Sequence, residues 1–372
     1  MTSLEGKTLA LFFTKGVSLQ GWDRMGILSR ELALYEEVAP SFRRIFFFTY
    51  GNAKDKTYQQ RLPENVTVIP QLFPFPALLY SFLLPLLQWK KLKETHILKT
   101  NQMLGSWSAV LAKMLYGKKL VVRCGYEWLE VMERRETPFW KRKIAAFLEL
   151  ISYRVADVAV FSNEEDKEYA RKRFHLSPHK LVVVPNFVDT EQFTTLSVQK
   201  EKGRVIFVGK LEEQKNVFQL IEAVATLDVR LVIIGEGSLR SRLEECAKKK
   251  QAPVEFWGSI PHERLPEELN KSELFVLPSL YEGHPKALLE AMSCGLPCIG
   301  TSVKGIDAVI EHKKNGYLCE LSVESIREAI KTVLQDKELQ GRMGREARKS
   351  ILTTIGLEQI VSNELELYGQ LI

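Results

Sequence analysis

Residues 277–316, LPSLYEGHPKALLEAMSCGLPCIGTSVKGIDAVIEHKKNG, contain the stretch of sequence that decides the fold. The apolar run Glu273–Pro278 predicts a short buried strand, and the polar residues Ser279–His284 predict a turn after it. Pro285 suits the first turn of a helix, because its ring fixes φ and its missing N–H is not needed there. Lys286–Ser293 continue the helix, and Gly295-Leu296-Pro297 end it. The pattern predicts one strand–turn–helix unit of an α/β protein.

The start of this helix has the features of an anion-binding site. The free N–H groups of Lys286, Ala287 and Leu288 would point out of the positive end of the helix, where a phosphate or diphosphate is stabilised. Glu282 would lie beside the far end of that anion. Glu290, with seven residues between the two glutamates, could reach a ribose diol. The alternative is an ordinary strand–turn–helix unit with two solvated glutamates.

The composition is that of a globular protein with two domains. A chain of 372 residues is too long for one ordinary core, and 45% hydrophobic with 26% charged residues excludes a disordered chain. The five cysteines, Cys124, Cys246, Cys294, Cys298 and Cys319, have no disulfide-framework or zinc-site spacing. Reduced thiols and the lack of a signal peptide favour the cytoplasm.

Charge is distributed unevenly along the chain. Residues 1–190 hold 28 basic and 19 acidic residues, a net charge of +9, whereas residues 191–372 hold 24 basic and 27 acidic residues, a net charge of −3. The basic half favours contact with an anionic surface, such as membrane lipid or nucleic acid, or serves solubility. No nucleic-acid-binding module is visible in the sequence, so we expect no nucleic-acid partner.

Residues 72–89 are the least polar stretch, LFPFPALLYSFLLPLLQW, and are followed by Lys90, Lys91 and Lys93. A spanning helix needs about 20 apolar residues, and three prolines interrupt this run. Two interpretations remain: a helix packed in the core, or an interfacial helix whose lysines contact anionic headgroups. Residues 134–143, RRETPFWKRK, interleave aromatic and basic side chains. They would form either a second membrane contact or a solvated helix start.

Strands and helices alternate along the chain, which predicts parallel sheets covered by helices. In the first half, strands are predicted at residues 8–14, 44–50, 66–70, 119–124, 155–161 and 181–185, with a long helix at about 22–38. In the second half, strands are predicted at 204–209, 230–235 and 254–258, with helices at about 217–226 and 239–250. Gly16, Gly21 and Gly26, after the first strand, would let the backbone approach a ligand closely.

This rhythm predicts two Rossmann-like domains, residues 1–192 and 203–354, with a ligand cleft between them. Residues 194–202 are polar and weakly patterned, as in a linker. The last segment, residues 355–372, reads as a helix that crosses back to the first domain.

Taken together, four motifs in this order resemble those of the family-4 glycosyltransferases of the GT-B fold. They are Val208-Gly209-Lys210-Leu211 with Lys215-Asn216; Gly235-Glu236-Gly237; Pro185-Asn186-Phe187-Val188-Asp189; and Glu282-Gly283 through Glu290-Ala291-Met292 with Gly295-Leu296-Pro297. The resemblance covers nearly the whole chain. It implies an α/β GT-B fold, in which two Rossmann-like domains face each other across a cleft. It also implies a hexosyltransferase-type enzyme, with a nucleotide-sugar donor on the second domain and a glycan or lipid-linked acceptor on the first.

The resemblance also implies roles for individual residues. Lys210 and Lys215 correspond to the cationic pair that stabilises the departing diphosphate, although the family usually has an arginine at the first position. Glu282 would lie by the sugar ring and the diphosphate, and Glu290 on the ribose hydroxyls. Further donor contacts would come from a first-domain glycine loop, from the strand end, from a base-contacting loop and from the helix start: Gly16, Gly21, Gly209, Ser259, Ile260, Pro261, His284, Lys286, Ala287 and Leu288.

The family retains the anomeric configuration of the donor, through an oxocarbenium-like transition state in which the departing diphosphate oxygen takes the acceptor proton. Many relatives carry a histidine after a strand of the first domain, where this chain has Arg123–Glu127. Glu127 either takes part in the reaction or is a helix-start carboxylate. Because no Asp-x-Asp cluster is present, we expect the lysines and the helix start to handle the phosphate charge without a metal or any other cofactor.

The sequence therefore predicts a cytoplasmic enzyme, peripheral on the inner face of the membrane, that builds a bacterial-type polysaccharide, lipopolysaccharide or glycolipid. One alternative is a nucleotide-sugar epimerase on the same scaffold, which would need acid–base groups from the first domain. The other is a non-catalytic donor-binding subunit, against which the presence of both lysines and both glutamates argues. We expect the side chains of Lys215 and Glu282 to be exposed in the cleft.

Overall fold

A computed structural model of the chain describes residues 4–71, 74–125, 128–134 and 136–372. The strands are β1 (Thr8–Phe12), β2 (Arg44–Phe48), β3 (Val66–Ile69), β4 (Ile97–Thr100), β5 (Lys119–Cys124), β6 (Val158–Phe161), β7 (Leu181–Val183), β8 (Arg204–Val208), β9 (Arg230–Ile234), β10 (Val254–Gly258), β11 (Leu274–Leu277), β12 (Cys298–Thr301) and β13 (Tyr317–Cys319). The helices are α1 (Leu19–Arg24), α2 (Leu28–Val38), α3 (Ala77–Leu87), α4 (Trp89–Glu94), α5 (Ser106–Tyr116), α6 (Trp128–Arg134), α7 (Phe139–Val155), α8 (Glu164–Phe174), α9 (Val217–Val224), α10 (Arg240–Lys250), α11 (Leu265–Lys271), α12 (Lys286–Ser293), α13 (Val323–Gln335), α14 (Lys337–Thr354) and α15 (Leu357–Leu371).

The chain divides into two compact units, each built on one parallel sheet. The first unit is Met1–Pro185 with Ile360–Ile372, and the second is Asn186–Gln359. The strand order is β3-β2-β1-β4-β5-β6-β7 in the first sheet and β10-β9-β8-β11-β12-β13 in the second. Strand order therefore reverses between β1 and β4 in one sheet, and between β8 and β11 in the other. The predicted α/β class, with one Rossmann-like sheet in each half, is confirmed.

Helices that cover both faces of a parallel sheet favour strands that are mostly apolar. The segments RVIFV and LFVL of β8 and β11 are buried except at the end of β8. The predicted strands begin and end within a few residues of the observed ones. The largest shift is in the strand predicted over residues 155–161. Residue 155 still lies in α7, because the Ala156 N–H donates to the Ser152 carbonyl at 3.0 Å. The strand therefore starts only at Val158.

The predicted helix over residues 22–38 is two helices, so that prediction was wrong in its continuity. Helix α1 ends at Arg24 and α2 begins at Leu28. Gly26 between them has φ +66°, a left-handed conformation that interrupts the helical path.

The end of α15 packs on the first unit through a buried ion pair. Lys99 of β4 and Glu364 of α15 are almost fully buried, and the Nζ–Oε2 distance is 2.7 Å. The Lys99 ammonium also lies 5.3 and 5.6 Å from the ring centroids of Tyr35 and Tyr368. Burial alone would raise the pKa of Glu364, but Lys99 and Arg123 hold it below its ordinary value.

Two further observations bear on the sequence interpretation, one on the predicted linker and one on helices that could cross a membrane. Residues 194–202 have no helix or strand, but they are bound to the second unit: Leu196 N–H donates to Asn270 Oδ1 at 2.9 Å, and Glu201 N–H to the Lys271 carbonyl at 2.8 Å. Within the part of the chain that the structure describes, no helix has the length and apolar character needed to cross a membrane.

Candidate functional site

The loops after β8 and β11 meet at the point where strand order reverses in the second unit. Leu280 N–H donates to the Gln214 carbonyl at 2.8 Å, and the Gln214 side-chain amide donates to the Tyr281 carbonyl at 2.9 Å. In open parallel sheets, ligands bind beyond the carboxyl ends of the strands at such a reversal. The two motifs that carry the predicted cations and carboxylate are thus held side by side at the ligand-binding edge.

Lys215 and Glu282 form an ion pair between these two loops. Lys215 Nζ lies 2.6 Å from Glu282 Oε1, and Ser279 Oγ donates to the same oxygen at 2.6 Å. The side chains are only 18% and 7% exposed. The expectation that both would be exposed was wrong, because each covers the other and the β11 loop folds over the carboxylate. The pair nevertheless brings a cation and an anion together at the edge where a ligand would bind.

Gly209 follows β8 and Gly235 follows β9, and these two glycines allow the loops after β8 and β9 to approach each other. A Cβ on Gly235, which has φ +144°, would lie 1.9 Å from the Gly209 carbonyl oxygen, so no side chain fits there. A Cβ on Gly209 would lie 3.1 Å from the Phe207 ring and 3.6 Å from Lys215 Cε. Lys210, the next residue, is exposed. Gly209 therefore sits against the Lys215 stem, with an exposed cation beside it.

The start of α12 differs from the prediction in one amide. Leu288 N–H donates to the Pro285 carbonyl at 3.0 Å, so it is not a free donor, and the expectation for that group was wrong. Lys286 and Ala287 are half-buried in the first turn. His284, just before the helix, accepts from Asn186 N–H at Nδ1 (3.2 Å), and its carbonyl accepts from the Asn186 side-chain amide (2.9 Å). The Pro185–Asp189 motif thus orients the turn that precedes the helix.

Glu290 has a protein partner that the sequence interpretation missed. It is buried in α12, and its Oε1 lies 2.9 Å from His262 Nε2. His262 packs against the ring of Phe193 at 4.9 Å between centroids. Its Nδ1 is buried and finds no hydrogen-bond partner among the described residues. His262 directly follows residues 259–261, and this adjacency was the signal in the sequence that could have identified it.

The predicted base-contacting loop is partly open to solvent. Ser259 and Pro261 are exposed and Ile260 is half-buried. The loop leaves β10 at Gly258 and returns to the core at His262, beside Glu290. These three residues and Glu290 are therefore close in the fold, although the predicted ribose carboxylate is covered by the histidine.

In the first unit, Gly16 and Gly21 have different structural roles. Gly16 is exposed with φ +80°, in the loop that leaves β1 at the reversal of that sheet. Gly21 lies inside α1, where its N–H donates to the N-cap Ser18 Oγ at 3.0 Å. The expectation that Gly21 belongs to an open glycine loop was therefore wrong, because the residue is helical and its amide is occupied. The amides of Leu19 and Gln20 donate to the buried carboxylate of Asp55 at 3.2 and 3.1 Å.

A second buried carboxylate lies near the end of β5. Glu149 of α7 accepts from Leu129 N–H at 3.0 Å, at the start of α6. Burial raises the pKa of Glu149 to about 7, although the amides of Leu129 and Trp128 lower it. Glu127, whose role the sequence left open, lies outside the described residues.

Two family models match the chain: glycosyltransferase family 4 over residues 43–192, and glycosyl transferases group 1 over residues 188–350. The UDP-Gal:alpha-D-GlcNAc-diphosphoundecaprenol alpha-1,3-galactosyltransferase of Escherichia coli is 30% identical over 246 residues, which are 60% of this chain and 62% of that protein. The N-acetyl-alpha-D-glucosaminyl L-malate synthase of Bacillus anthracis is 31% identical over 210 residues, 52% of this chain and 55% of that protein. The chain thus spans just over half the length of these relatives.

The fold is also found among solved structures. A sucrose-phosphate synthase from Thermosynechococcus elongatus superposes with a TM-score of 0.82 at 20% sequence identity, covering 98% of this chain and 99% of that one. At this identity the likeness concerns the fold alone. The motifs, the two family models and the shared architecture agree along almost the whole sequence, and the chain belongs to the family-4 glycosyltransferases of the GT-B fold.

Proposed function

We propose that this protein is a retaining glycosyltransferase that moves a sugar from a nucleotide-sugar donor to a glycan or lipid-linked acceptor. The observation that carries the proposal is the Lys215–Glu282 pair, 2.6 Å apart, at the strand-order reversal of the second sheet. Family membership favours transfer over epimerisation on the same scaffold. The name of the Escherichia coli relative supports a UDP-sugar as donor and a lipid diphosphate as acceptor. We propose by the same reasoning that the product is a surface polysaccharide, lipopolysaccharide or glycolipid.

The chemistry required of the site is stabilisation of the leaving diphosphate. As the bond from the sugar C1 to the diphosphate oxygen breaks, negative charge grows on that oxygen. The Lys215 ammonium, released in part from Glu282, would bind that charge, with Lys210 as the second cation. The acceptor hydroxyl bonds to C1 on the face that the diphosphate leaves, and its proton passes to the departing oxygen. This path retains the configuration at C1, and we propose that the lysines supply the cationic stabilisation without a resident metal.

Glu290 would serve the donor nucleoside in this scheme. Its carboxylate, oriented by His262, would accept from ribose hydroxyls, while residues 259–261 would contact the base. The Ala287 amide at the start of α12 would face the phosphates. Each contact lies within the second unit.

A ligand screen tests the donor class. Thermal unfolding should be measured with UDP-, GDP-, ADP- and dTDP-sugars, because a ligand raises the unfolding temperature only when it binds the native protein. One nucleotide should produce a shift that Lys215→Met removes. If no nucleotide-sugar shifts the transition of the unaltered protein, the proposed donor class is wrong.

Product stereochemistry tests the retaining assignment. With the donor identified, the anomeric configuration of the first product formed can be read by NMR before any equilibration. An α product from an α-linked donor supports retention, and a β product refutes it. Turnover that persists after chelation by EDTA supports the metal-free assignment, and turnover that is lost and then restored by a divalent cation refutes it.

A further inference from the structure

Three neighbouring helices of the first unit leave large apolar side chains in solvent. On α3, the residues Tyr80, Ser81, Leu84 and Pro85 are buried, whereas the opposite side of the helix consists of exposed leucines and a phenylalanine. Leu86 and Leu78 are 56% and 53% exposed. The segment Ala77–Leu87 holds no charged residue. A helix whose solvent side is entirely apolar lacks a partner for that side.

Helix α7 has a second apolar stripe with the same character. Trp140, Ile144 and Phe147 follow each other at spacings of four and three residues, so they lie on one side of the helix. They are 61%, 50% and 59% exposed, and Phe139 beside them is exposed too. The single acidic residue of α7, Glu149, is buried. Both stripes thus present apolar surface to solvent without negative charge.

Helix α5 lies between α3 and α7 and joins the two stripes into one face. Trp107 of α5 donates from Nε1 to Ser81 Oγ at 2.8 Å, and Tyr116 Oη donates to the Pro85 carbonyl at 2.9 Å. Ser106 of α5 bonds Ser152 of α7 at 2.7 Å. Buried residues of all three helices belong to one core cluster on one side of the first sheet. Their outward sides therefore point the same way, and the exposed Met114 and Leu115 at the end of α5 add to them.

Basic side chains border this apolar face and contact its aromatic rings. Lys93 and Lys90 lie 4.9 and 5.6 Å from the ring centroid of Trp89, the first residue of α4, the helix that follows α3. On α7, Lys141 lies 5.3 Å from the Trp140 ring and Lys143 lies 5.1 Å from the Phe139 ring. All four lysines are exposed. Aromatic rings and lysines around an apolar centre match the boundary between lipid headgroups and acyl chains.

We infer that this face of α3, α5 and α7 docks on the surface of a bilayer that contains anionic phospholipids, without crossing it. The apolar side chains would enter the headgroup–acyl boundary, and the lysines would contact lipid phosphates. A second copy of the chain is a poorer match, because a twofold contact would set lysines against lysines. The inference deepens the proposed function, since a lipid-linked acceptor lies in the same bilayer, but it concerns a surface remote in sequence from the donor residues.

Vesicle binding of the full chain tests the inference. Co-sedimentation should be measured with vesicles of phosphatidylcholine plus phosphatidylglycerol, and with phosphatidylcholine alone, at low and high salt. Binding should require the anionic lipid and weaken at high salt. Replacing Lys90 and Lys93 by glutamine should weaken it by roughly fivefold per lysine. The matched change at the exposed Lys314 and at Lys331 of the second unit, whose side chain is 42% exposed, should have no effect.

The apolar contribution needs its own variants and its own control. The double substitutions Leu78→Ser with Leu86→Ser, and Trp140→Ser with Phe147→Ser, should each reduce vesicle binding by about tenfold or more. Leu352→Ser in α14, a leucine 49% exposed on the second unit, should not. Because the replaced side chains face solvent, unfolding temperatures should stay near that of the unaltered protein.

The outcomes separate docking from catalysis. Loss of vesicle binding in both helix variants, with nucleotide-sugar binding retained, supports docking. Vesicle binding that survives both substitutions overturns it. A concentration-dependent dimer of the unaltered protein, abolished by the same substitutions in the absence of vesicle binding, also overturns it and makes the face a self-association surface. If vesicle binding behaves as expected but no donor is bound or turned over, the proposed function fails and the docking face stands.

Discussion

Replacing Lys215 by methionine separates the two contributions expected of this residue, stability and transfer. The substitution keeps most of the apolar stem and removes the ammonium. Among the described residues, it leaves the Glu282 carboxylate, which is 7% exposed, with Ser279 Oγ as its side-chain donor. We therefore expect a loss of stability in the absence of donor, and a loss of transfer in its presence.

The size of the stability loss follows from the burial of the pair. Exposed ion pairs contribute at most about 1 kcal/mol, whereas removing one member of a fully buried pair costs about 3–5 kcal/mol. The side chains of Lys215 and Glu282 are 18% and 7% exposed, so we expect an intermediate loss of about 2–3 kcal/mol. For a unit of this size that loss corresponds to a decrease in unfolding temperature of about 4–12 °C.

The loss of transfer should be larger than the loss of stability, and a second substitution can separate the two. Removing one preorganised group that stabilises transition-state charge costs about 10²–10³ in kcat. In the double variant Lys215→Met with Glu282→Gln, no buried carboxylate is left unpaired, so most of the stability should return. Transfer should not return, because the cation is still missing. Thermal unfolding and initial rates with the donor found in the nucleotide screen measure the two quantities.

The control is Lys250→Met. Lys250 pairs with Glu222 at 3.3 Å, and the two side chains are 44% and 39% exposed. This change should leave both the unfolding temperature and the rate close to those of the unaltered protein. The reasoning is refuted if the double variant transfers sugar at the normal rate, or if Lys215→Met is no less stable than the control.

Three further changes test groups outside this pair. Burial raises the pKa of Glu149 from 4.5 to about 7, so its contribution to stability is full below pH 4.5 and is lost as the pH rises through 7. Glu149→Gln should therefore flatten the dependence of the unfolding temperature on pH in this range. An unchanged pH dependence would contradict the raised pKa of Glu149. His262→Leu should cost about 1–3 kcal/mol in urea unfolding, because buried Glu290 loses the hydrogen bond to His262. His262→Gln should recover part of this loss, and equal losses in both variants would exclude the hydrogen bond as the cause. Lys99→Met should cost about 3–5 kcal/mol in urea unfolding, because it removes one member of a buried ion pair. Adding Glu364→Gln should restore most of that stability, and a double variant that is no more stable than Lys99→Met would contradict the ion pair as the cause.

The local elements of the site could be predicted from the sequence because their causes are local. The helix predicted over Lys286–Ser293 is α12 with the same bounds, since Pro285 precedes it and Gly295 follows it. The apolar runs of β5 and β10 were likewise found at their observed bounds. A proline and a glycine mark the ends of α12, and a mostly apolar run marks each of the two strands, so none of the three needs a distant partner to be recognised.

Several of the missed features depend on residues that are distant in sequence. Strand β4 was not predicted, because Lys99 interrupts its apolar run and the carboxylate that neutralises it is 265 residues away. The contact between His262 and Glu290 joins residues 28 positions apart, through the packing of α12. The exposure of Lys215 was mispredicted because its partner in the next loop is 67 residues away. A linear pattern carries no information about which of many carboxylates such a cation meets.

The two units offer an anion opposite environments after their first strands. In the first unit, the amides of Leu19 and Gln20 are satisfied by Asp55, a carboxylate that is itself buried. An incoming phosphate would have to displace that carboxylate and leave it without its donors, which is costly in a buried site. In the second unit, the corresponding loop supplies Lys215, whose partner Glu282 lies on a neighbouring loop and keeps its Ser279 hydrogen bond if the lysine moves. The protein's own charges therefore favour the second unit over the first as the site of the sugar diphosphate that we propose.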